Sequence, residues 1–181
     1  MRRVHILTTG GTMEKRYVEQ NGEMRNTEPQ IARCLKLLRL PGLEVTVEQL
    51  MNKDSLDMTE ADRECIADHV ATAVAKGLPV LVTHGTDTMV ETGKVVAARL
   101  PTLRTPVIFT GAMTPLGIEG SDAMQNLTEA LLATQLVQPG VFLSFHGEVF
   151  PIGTVRKDRE HSRFVSTEAA RVATEEPQGR G

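Results

Sequence analysis

Hydrophobic residues along the chain follow two spacings. One predicts strands, the other predicts helices, and the two alternate along the sequence. Short apolar runs bounded by glycine, proline or polar residues are typical of strands buried in a sheet. Longer segments that repeat apolar residues at every third or fourth position are typical of helices with one buried face. The predicted strands cover residues 4–8, 43–50, 79–83, 106–110 and 141–145, with a further extended segment or hairpin over 148–155. The predicted helices cover residues 28–40, 60–76, 88–99 and 121–137.

The ends of two helices carry recognisable signals. Thr59 precedes the second helix as an N-cap residue, and Gly77 follows it as a stop. Thr27 is the predicted N-cap of the first helix, with Glu28 and Pro29 in its first turn. The pair at residues 41–42, proline then glycine, is expected to end that helix.

Strands that alternate with helices predict an α/β fold: a mainly parallel sheet with helices on both faces. The length of 181 residues fits one such domain. We predict that residues 1–165 form this domain and that residues 166–181, which are polar and end in PQGRG, form a flexible tail.

Composition narrows the functional class. The net charge is −3 and aromatic residues make up 3% of the chain, so neither a basic footprint nor a stacking platform for nucleic acid is expected. No run reaches the ~20 apolar residues of a membrane span, so no membrane partner is expected. The cysteines, Cys34 and Cys65, fall inside predicted helices and are too few for a disulfide framework, which favours a reduced, cytoplasmic protein.

Small and hydroxyl-bearing residues follow the predicted strands. TTGGT (8–12), DSLD (54–57), THGTDT (83–88) and TGAM (110–113) each come directly after a strand. In parallel α/β sheets, ligands bind beyond the carboxyl ends of the strands, so these four turns should meet at one edge. The chain contains neither a dinucleotide-binding GxGxxG nor a GxxxxGK[ST] phosphate loop, so a nucleotide site is not predicted.

Two of these turns place a threonine directly after a glycine. Thr12 follows Gly11, and Thr86 follows Gly85. Glycine lets a substrate approach the main chain, whose N–H groups can stabilise a developing oxyanion. A hydroxyl at such a position becomes a nucleophile if a neighbouring group removes its proton.

Asp87 and Lys157 are the candidate groups for that proton transfer, although a lysine accepts a proton only where its surroundings keep it neutral. Each candidate also has a simpler structural explanation. Thr86 and Asp87 are good helix N-caps, and charge runs such as residues 156–160 usually form solvated faces. The basic cluster at 156–163 could instead pair with an acidic substrate or with a second protein chain.

TTGGTM, DSLDMT, THGTDTMVET and TGAM resemble, in order and spacing, motifs of the bacterial L-asparaginase family over about residues 4–165. The resemblance implies the fold of the N-terminal domain of these amidohydrolases. It also implies that Thr12 is the primary nucleophile and that Thr86, Asp87 and Lys157 form a Thr–Lys–Asp triad. Tyr17 resembles a mobile-loop tyrosine that assists the nucleophile.

The implied reaction is hydrolysis of L-asparagine to L-aspartate and ammonia through a threonine-linked acyl-enzyme, with weaker activity on glutamine and with no metal or organic cofactor. Asp87 would also hold the α-amino group of the substrate. The resemblance implies substrate contacts from Gly11, Ser55, Gly85, Thr86, Asp87 and Ala112.

The chain departs from the family in two ways that matter for function. Members usually carry a second, C-terminal domain that reaches a neighbouring protomer's site, so a short single-domain homo-oligomer is expected here. Leu56 follows Ser55 where many secreted members carry a polar substrate contact, which bears on the preference for asparagine over glutamine.

Two further interpretations stay open from the sequence. The first is an amidase component that supplies ammonia to a partner enzyme, as in transfer-RNA-dependent amidation. The second is a non-catalytic amino-acid-binding relative. The presence of Thr12, Thr86, Asp87 and Lys157 together argues against this second interpretation, because a degenerate relative would be expected to lose one of them.

Overall fold

A six-stranded sheet lies at the centre of the computed structural model, which describes residues 1–26 and 30–167. In chain order the strands are Arg2–Gly10 (β1), Lys15–Val18 (β2), Glu23–Asn26 (β3), Leu43–Lys53 (β4), Val80–Thr83 (β5), Pro106–Thr110 (β6), Gly140–Phe145 (β7), Glu148–Pro151 (β8), Val155–Asp158 (β9) and Arg163–Ser166 (β10). The sheet order is β4-β1-β5-β6-β7-β8. All neighbours pair in parallel except β8, which runs antiparallel to β7.

Helices cover both faces of this sheet, as the sequence predicts. They are Ile31–Leu37 (α1), Glu60–Ala75 (α2), Met89–Arg99 (α3) and Ala123–Leu136 (α4). Leu7, Val82 and Phe109 face α2 and α3 in one core cluster. The alternate strand residues, such as Ile6 and Leu81, face α1 and α4 in the other. Each central strand is thus buried on both sides, which explains its continuous apolar run.

Helix α2 begins and ends where its sequence signals place it. Thr59 Oγ1 accepts a hydrogen bond from the N–H of Asp62, and the Asp62 carboxylate accepts one from the N–H of Thr59, which makes a full capping box. Gly77 follows the helix with a φ of +73°. The other predicted strands and helices are also present, with ends shifted by a few residues.

Helix α1 is shorter than the predicted 28–40. It ends at Leu37 because Leu38 is already extended and the N–H of Leu43 donates to the carbonyl of Leu40. Residues 38–42 therefore form the turn into β4 instead of a last helical turn. The predicted cap and first-turn residues at 27–29 lie outside the described residues.

Two hairpins flank the sheet, and the hydrophobic pattern of the sequence does not reveal either of them. Strands β2 and β3 pair antiparallel directly after the TTGGT turn, and β9 pairs with β10. The second hairpin is anchored by Phe164, whose ring lies 5.0 Å from that of Phe145. Its last strand ends at Ser166, the first residue of the predicted tail, and residues 168–181 of that tail lie outside the described residues.

Within the described ranges, no helix is both long and apolar enough to cross a membrane. What matters for function is the edge where β1, β4, β5 and β6 end. Because these strands are parallel, their four following turns come together there.

Candidate active site

Two glycines allow the turns after β1 and β5 to touch. A β-carbon on Gly11 would lie 2.4 Å from the backbone nitrogen of Gly85, and Gly11 has a φ of +85°. A β-carbon on Gly85 would lie 2.6 Å from Oγ of Ser55. Only glycine fits at this approach, and the contact brings together the two turns in which Thr12 and Thr86 follow the glycines.

Hydrogen bonds hold these turns in place. The N–H of Gly11 donates to the carbonyl of Lys53 at 3.0 Å, which ties the end of β1 to β4. Thr9 Oγ1 donates to the carbonyl of Thr83 at 2.8 Å, which ties it to β5. The N–H of His84 donates to the carbonyl of Thr110 at 2.9 Å, which links β5 to β6. The edge is therefore a rigid platform of paired backbone.

Three of the predicted residues form one hydrogen-bonded group on this platform. Nζ of Lys157 donates to Oγ1 of Thr86 at 2.7 Å and to Oδ1 of Asp87 at 3.0 Å. Thr86 is buried, and the Lys157 side chain is 16% exposed. A hydroxyl, an amine and a carboxylate in direct contact can pass a proton to or from a bound substrate.

The hairpin of β9 and β10 positions the lysine. Val155 and Lys157 occupy alternate positions of β9, so both side chains point to the same face, toward the domain. Arg156 lies between them and is exposed on the opposite face. In the sequence, residues 156–160 form a run of charged residues. In the structure, β9 directs Arg156 to the solvent and Lys157 to the site.

Asp87 is held as a carboxylate. Its burial acts to raise its pKa, but hydrogen bonds and charges from Lys157 and from Arg159 outweigh this effect, so the pKa lies below its ordinary value. Nη1 of Arg159 donates to Oδ1 of Asp87 at 2.7 Å. The same oxygen thus accepts from two cations.

The remaining predicted contacts lie at the same edge. Thr12 begins a short 3₁₀ turn directly after Gly11 and is partly exposed. Ser55 begins the turn after β4, and its buried Oγ has no hydrogen-bond partner among the described residues. Ala112, two residues after β6, is fully buried.

Tyr17 lies apart from this group. It is a β2 residue with 60% exposure and lines a cavity of about 580 Å³ together with Arg33, Leu37 and Ile118. No hydrogen bond joins its phenol to Thr12 anywhere in the described chain. Its role beside the nucleophile stays a prediction.

Comparison with known protein families shows to which family the chain belongs. Residues 3–176 match the family model of the N-terminal domain of asparaginase. The chain belongs to the asparaginase family. The resemblance in the four strand-end motifs is thereby confirmed, as is the α/β fold of an asparaginase N-terminal domain.

Individual asparaginase-family proteins show the same relationship. An L-asparaginase of Thermococcus kodakarensis is 28% identical over 157 residues, which is 87% of this chain and 47% of that protein. A component of the glutamyl-tRNA(Gln) amidotransferase of Thermoplasma acidophilum is 28% identical over 167 residues, 89% of this chain and 41% of that protein. The crystallised thermostable L-asparaginase from T. kodakarensis superimposes with a TM-score of 0.77 at 27% identity, over 91% of this chain and 51% of that one. The chain thus spans about half the length of these relatives.

Asp122 is a supporting residue that the sequence does not reveal. Its carboxylate accepts hydrogen bonds from the N–H groups of Met113 and Thr114, from Nε2 of His146 and from the side-chain amide of Asn126. It therefore fixes the turn after β6. From sequence it resembles an N-cap of α4, yet its side chain makes no cap hydrogen bond and reaches back to the turn instead.

Glu14 is a second buried group that the sequence does not mark. Its carboxylate accepts a hydrogen bond from the N–H of Gln30, and Oε1 has no partner among the described residues. Burial raises its pKa, and the N–H of Gln30 offsets this only in part. Glu14 lies in the same 3₁₀ turn as Thr12 and thereby joins that turn to the start of α1.

His84 makes stability depend on pH. It is buried, its Nδ1 bonds to the carbonyl of Gly85 at 2.8 Å, and its Nε2 bonds to Thr92 Oγ1 at 2.9 Å. Burial lowers its pKa to about 4, from 6.5. Between these values the unfolded chain binds the proton and the folded chain does not. The contribution of His84 to stability is therefore fully present above pH 6.5, and about 3 kcal/mol of it is lost as the pH drops to 4.

We expect His84→Asn to flatten that slope. The amide of asparagine can still donate to Gly85 but does not titrate. The free energy of unfolding, measured by urea denaturation at several pH values between about 4 and 7, reports the change. Equal slopes in the His84→Asn and unmodified chains would rule the explanation out.

Proposed function

We propose that this chain is an amidohydrolase that converts L-asparagine to L-aspartate and ammonia through an acyl intermediate on Thr12. The observation that carries the proposal is the contact of the Lys157 amine with Thr86 at 2.7 Å and with Asp87 at 3.0 Å. This group adjoins the close approach of Gly11 and Gly85, and Thr12 is the residue after Gly11. Membership of the asparaginase family supports the same reaction class.

In the first step, Oγ1 of Thr12 bonds to the amide carbon of the substrate, and the carbon–nitrogen bond breaks. Thr86, which is hydrogen-bonded to Lys157, relays the hydroxyl proton of Thr12 to the departing nitrogen, which leaves as ammonia. Water then attacks the ester, which releases aspartate and restores the threonine. One amide and one water give one acid and one ammonia, so the step needs no oxidant or reductant.

The platform offers the contacts that this reaction needs. A developing oxyanion beside Thr12 would be stabilised by those backbone N–H groups of these turns that are not already paired, as the N–H groups of Gly11 and His84 are. The buried hydroxyl of Ser55 has no partner among the described residues, and a polar substrate group would satisfy it. Asp87 keeps its negative charge and is suited to bind an α-ammonium group.

A second candidate is an amidase component that supplies ammonia to a partner enzyme. The Thermoplasma relative, named as part of a glutamyl-tRNA(Gln) amidotransferase, supports it. The described residues are compatible with both proposals, since the ammonia-releasing step is the same. Free asparagine as a good substrate favours the first, whereas ammonia release that requires a partner favours the second.

We also propose a cytoplasmic homo-oligomer. The cysteines, Cys34 and Cys65, are both unpaired, as expected in a reducing compartment. The Asp87 side chain is 28% exposed at the edge of the domain, and a second copy of the chain packed there would shield it from water. A light-scattering mass of a single 19.8 kDa chain would contradict the oligomer.

The decisive test is ammonia release by the purified chain from L-asparagine, with L-glutamine and D-asparagine in parallel. We expect L-asparagine to be the best substrate and glutamine to be a weaker one. Thr12→Ala, assayed at the same concentration, shows whether the ammonia comes from this site. If the unmodified chain releases no more ammonia than Thr12→Ala, the hydrolase proposal is wrong, and the partner-dependent amidase and the non-catalytic amino-acid-binding relative are left.

A further inference from the structure

The cavity that Tyr17 lines is separate from the hydrogen-bonded group around Lys157. It lies between the β2–β3 hairpin, α1 and the loop from β6 to α4, and no residue of that group lines it. Leu116 and Met124 line it and pack on the α1–α4 side of the sheet, whereas Phe164 of the β9–β10 hairpin packs on the other side. Its volume of about 580 Å³ lies within the range of about 300–1,000 Å³ that is usual for small-molecule sites.

Large apolar side chains are exposed around this cavity. Tyr17 and Met24 are directly opposite each other on β2 and β3, so their side chains lie on the same face of the hairpin. Leu37 lines the cavity from the end of α1, and Ile118 lines it from the loop after β6. The exposed fractions of these four residues are 60%, 36%, 69% and 46%. Exposed apolar side chains that gather at one concave place are typical of a binding surface.

The charged residues that line the cavity, within the described part of the chain, are all cations: Lys15, Arg16 and Arg33. Nζ of Lys15 is already paired with Oδ2 of Asp54 at 2.7 Å. Neither arginine side chain makes a hydrogen bond or ion pair with any described residue. Arg33 lies one helical turn before Leu37, so the two side chains share a face of α1. The cavity therefore places an unpaired guanidinium next to an apolar wall.

The acidic residues that are close along the chain do not compete for this guanidinium. Glu23 is paired with Arg25, and Glu14 is buried. Glu19 and Glu119 each follow a lining residue, but neither lines the cavity. Because the charges of the lining are positive, electrostatic complementarity favours an anionic ligand.

We propose that this cavity binds an amphipathic anion. The apolar body of the ligand lies against Tyr17, Met24, Leu37 and Ile118, and Arg33 holds its carboxylate or phosphate through two parallel hydrogen bonds. Such a ligand removes the exposed apolar side chains from water and pairs the guanidinium in the same event. The proposal concerns a second site, so it does not depend on the hydrolysis of asparagine.

Calorimetric titration of the unmodified chain with four probes tests the charge and the apolar body separately. Octanoate and octyl phosphate have both, octylammonium has the same apolar chain with a positive head, and acetate has a negative head without the chain. We expect the octyl anions to bind about tenfold more tightly than octylammonium and acetate, and the tighter of the two shows which anionic head the site prefers. Equal binding of octanoate and octylammonium, or no binding of either octyl anion at about 1 mM, would overturn the proposal.

Two variants remove the two parts of the site. Arg33→Gln removes the charged fork, so it should weaken octanoate binding about tenfold and leave octylammonium binding no weaker. Leu37→Ser removes part of the apolar wall and should weaken octanoate binding about fivefold. Both side chains are exposed, so the fold should not depend on them. Unchanged octanoate binding by Arg33→Gln would show that the guanidinium does not hold the anion, which overturns the proposal.

Each variant has a matched control outside the cavity. Arg39→Gln removes the same charge from the exposed turn after α1. Leu136→Ser changes a leucine that, like Leu37, is the last residue of its helix and is 69% exposed. Neither control should change the Kd for octanoate. If the controls weaken binding as much as the cavity variants do, the ligand binds elsewhere and the proposal is wrong.

Hydrogen exchange shows where octanoate binds. We expect the ligand to slow exchange of the backbone N–H groups of β2, β3 and α1 and to leave the β9–β10 hairpin unchanged. Slowing only in β9–β10 would place the anion beside Lys157 instead. A concave cavity suits a single molecule better than a membrane surface does. Binding to phosphatidylglycerol vesicles without binding of either octyl anion would indicate a membrane-binding face. Either of these two results overturns the proposal.

Discussion

Lys157→Met is expected to lower kcat for ammonia release from asparagine about 1,000-fold or more. The methionine side chain fills similar space but can neither exchange a proton with Thr86 nor pair with Asp87. Both contacts of Nζ, at 2.7 Å and 3.0 Å, are lost together. Because members of a proton-transfer group act as a unit, Thr86→Val should cost nearly as much, and the double variant little more than either.

The control for this loss is Lys76→Met, at an exposed position after α2, which should keep full activity. Thermal unfolding of each variant shows whether the domain remains folded. Full activity of Lys157→Met in a folded protein would mean that the triad assignment is wrong, even if the chain still hydrolyses asparagine. Additive losses in the double variant would mean that Thr86 and Lys157 act independently.

Gly11→Ala is expected to destabilise the fold by about 3 kcal/mol or more and to reduce activity about 100-fold. Gly11 has φ +85° and ψ −173°, a conformation almost confined to glycine. The added methyl group would also lie 2.4 Å from the backbone nitrogen of Gly85. Backbone cannot move aside as a side chain can, so the turns that carry Thr12 and Thr86 must separate.

Gly42→Ala separates the cost of backbone strain at a positive φ from the cost of crowding by the added methyl group. Gly42 also has a positive φ, +77°, but nothing lies within 4 Å of the added carbon. We expect it to cost about 1–2 kcal/mol and to leave kcat unchanged. Urea denaturation and ammonia release are measured for both variants. If both glycine variants lose stability and activity equally, the close approach of the two turns is not what positions the threonines.

The fold is largely predictable because its signals are local. Each central strand is a short apolar run between turn residues, and helix α2 carries its own cap at Thr59 and its own stop at Gly77. The end of α1 is harder to predict. The turn after it is closed by a hydrogen bond from the N–H of Leu43 to the carbonyl of Leu40, and this bond depends on where β4 begins. The two hairpins are short and half-exposed, so no apolar alternation marks them.

The candidate site is predictable in its residue types but not in its contacts. Thr86 and Lys157 are 71 positions apart, and no spacing rule shows that their side chains meet at 2.7 Å. Without the family resemblance, the charge run at 156–160 looks like solvated surface. Asp122 looks like a helix cap, because nothing in the sequence shows that its carboxylate reaches back along its own loop to the N–H groups of Met113 and Thr114. Side-chain contacts of this kind depend on the packed fold.

The β9–β10 hairpin sets the order in which the candidate site is assembled during synthesis. Thr12 and Thr86 lie in turns that follow strands made early, whereas Lys157 is held against Thr86 only after Phe164 has been added and packs on Phe145. A nascent chain that ends before Phe164 therefore holds both threonines without the lysine. Because a two-stranded hairpin opens more easily than a six-stranded sheet, brief undocking of the hairpin would also stop the proposed reaction while the domain stays folded.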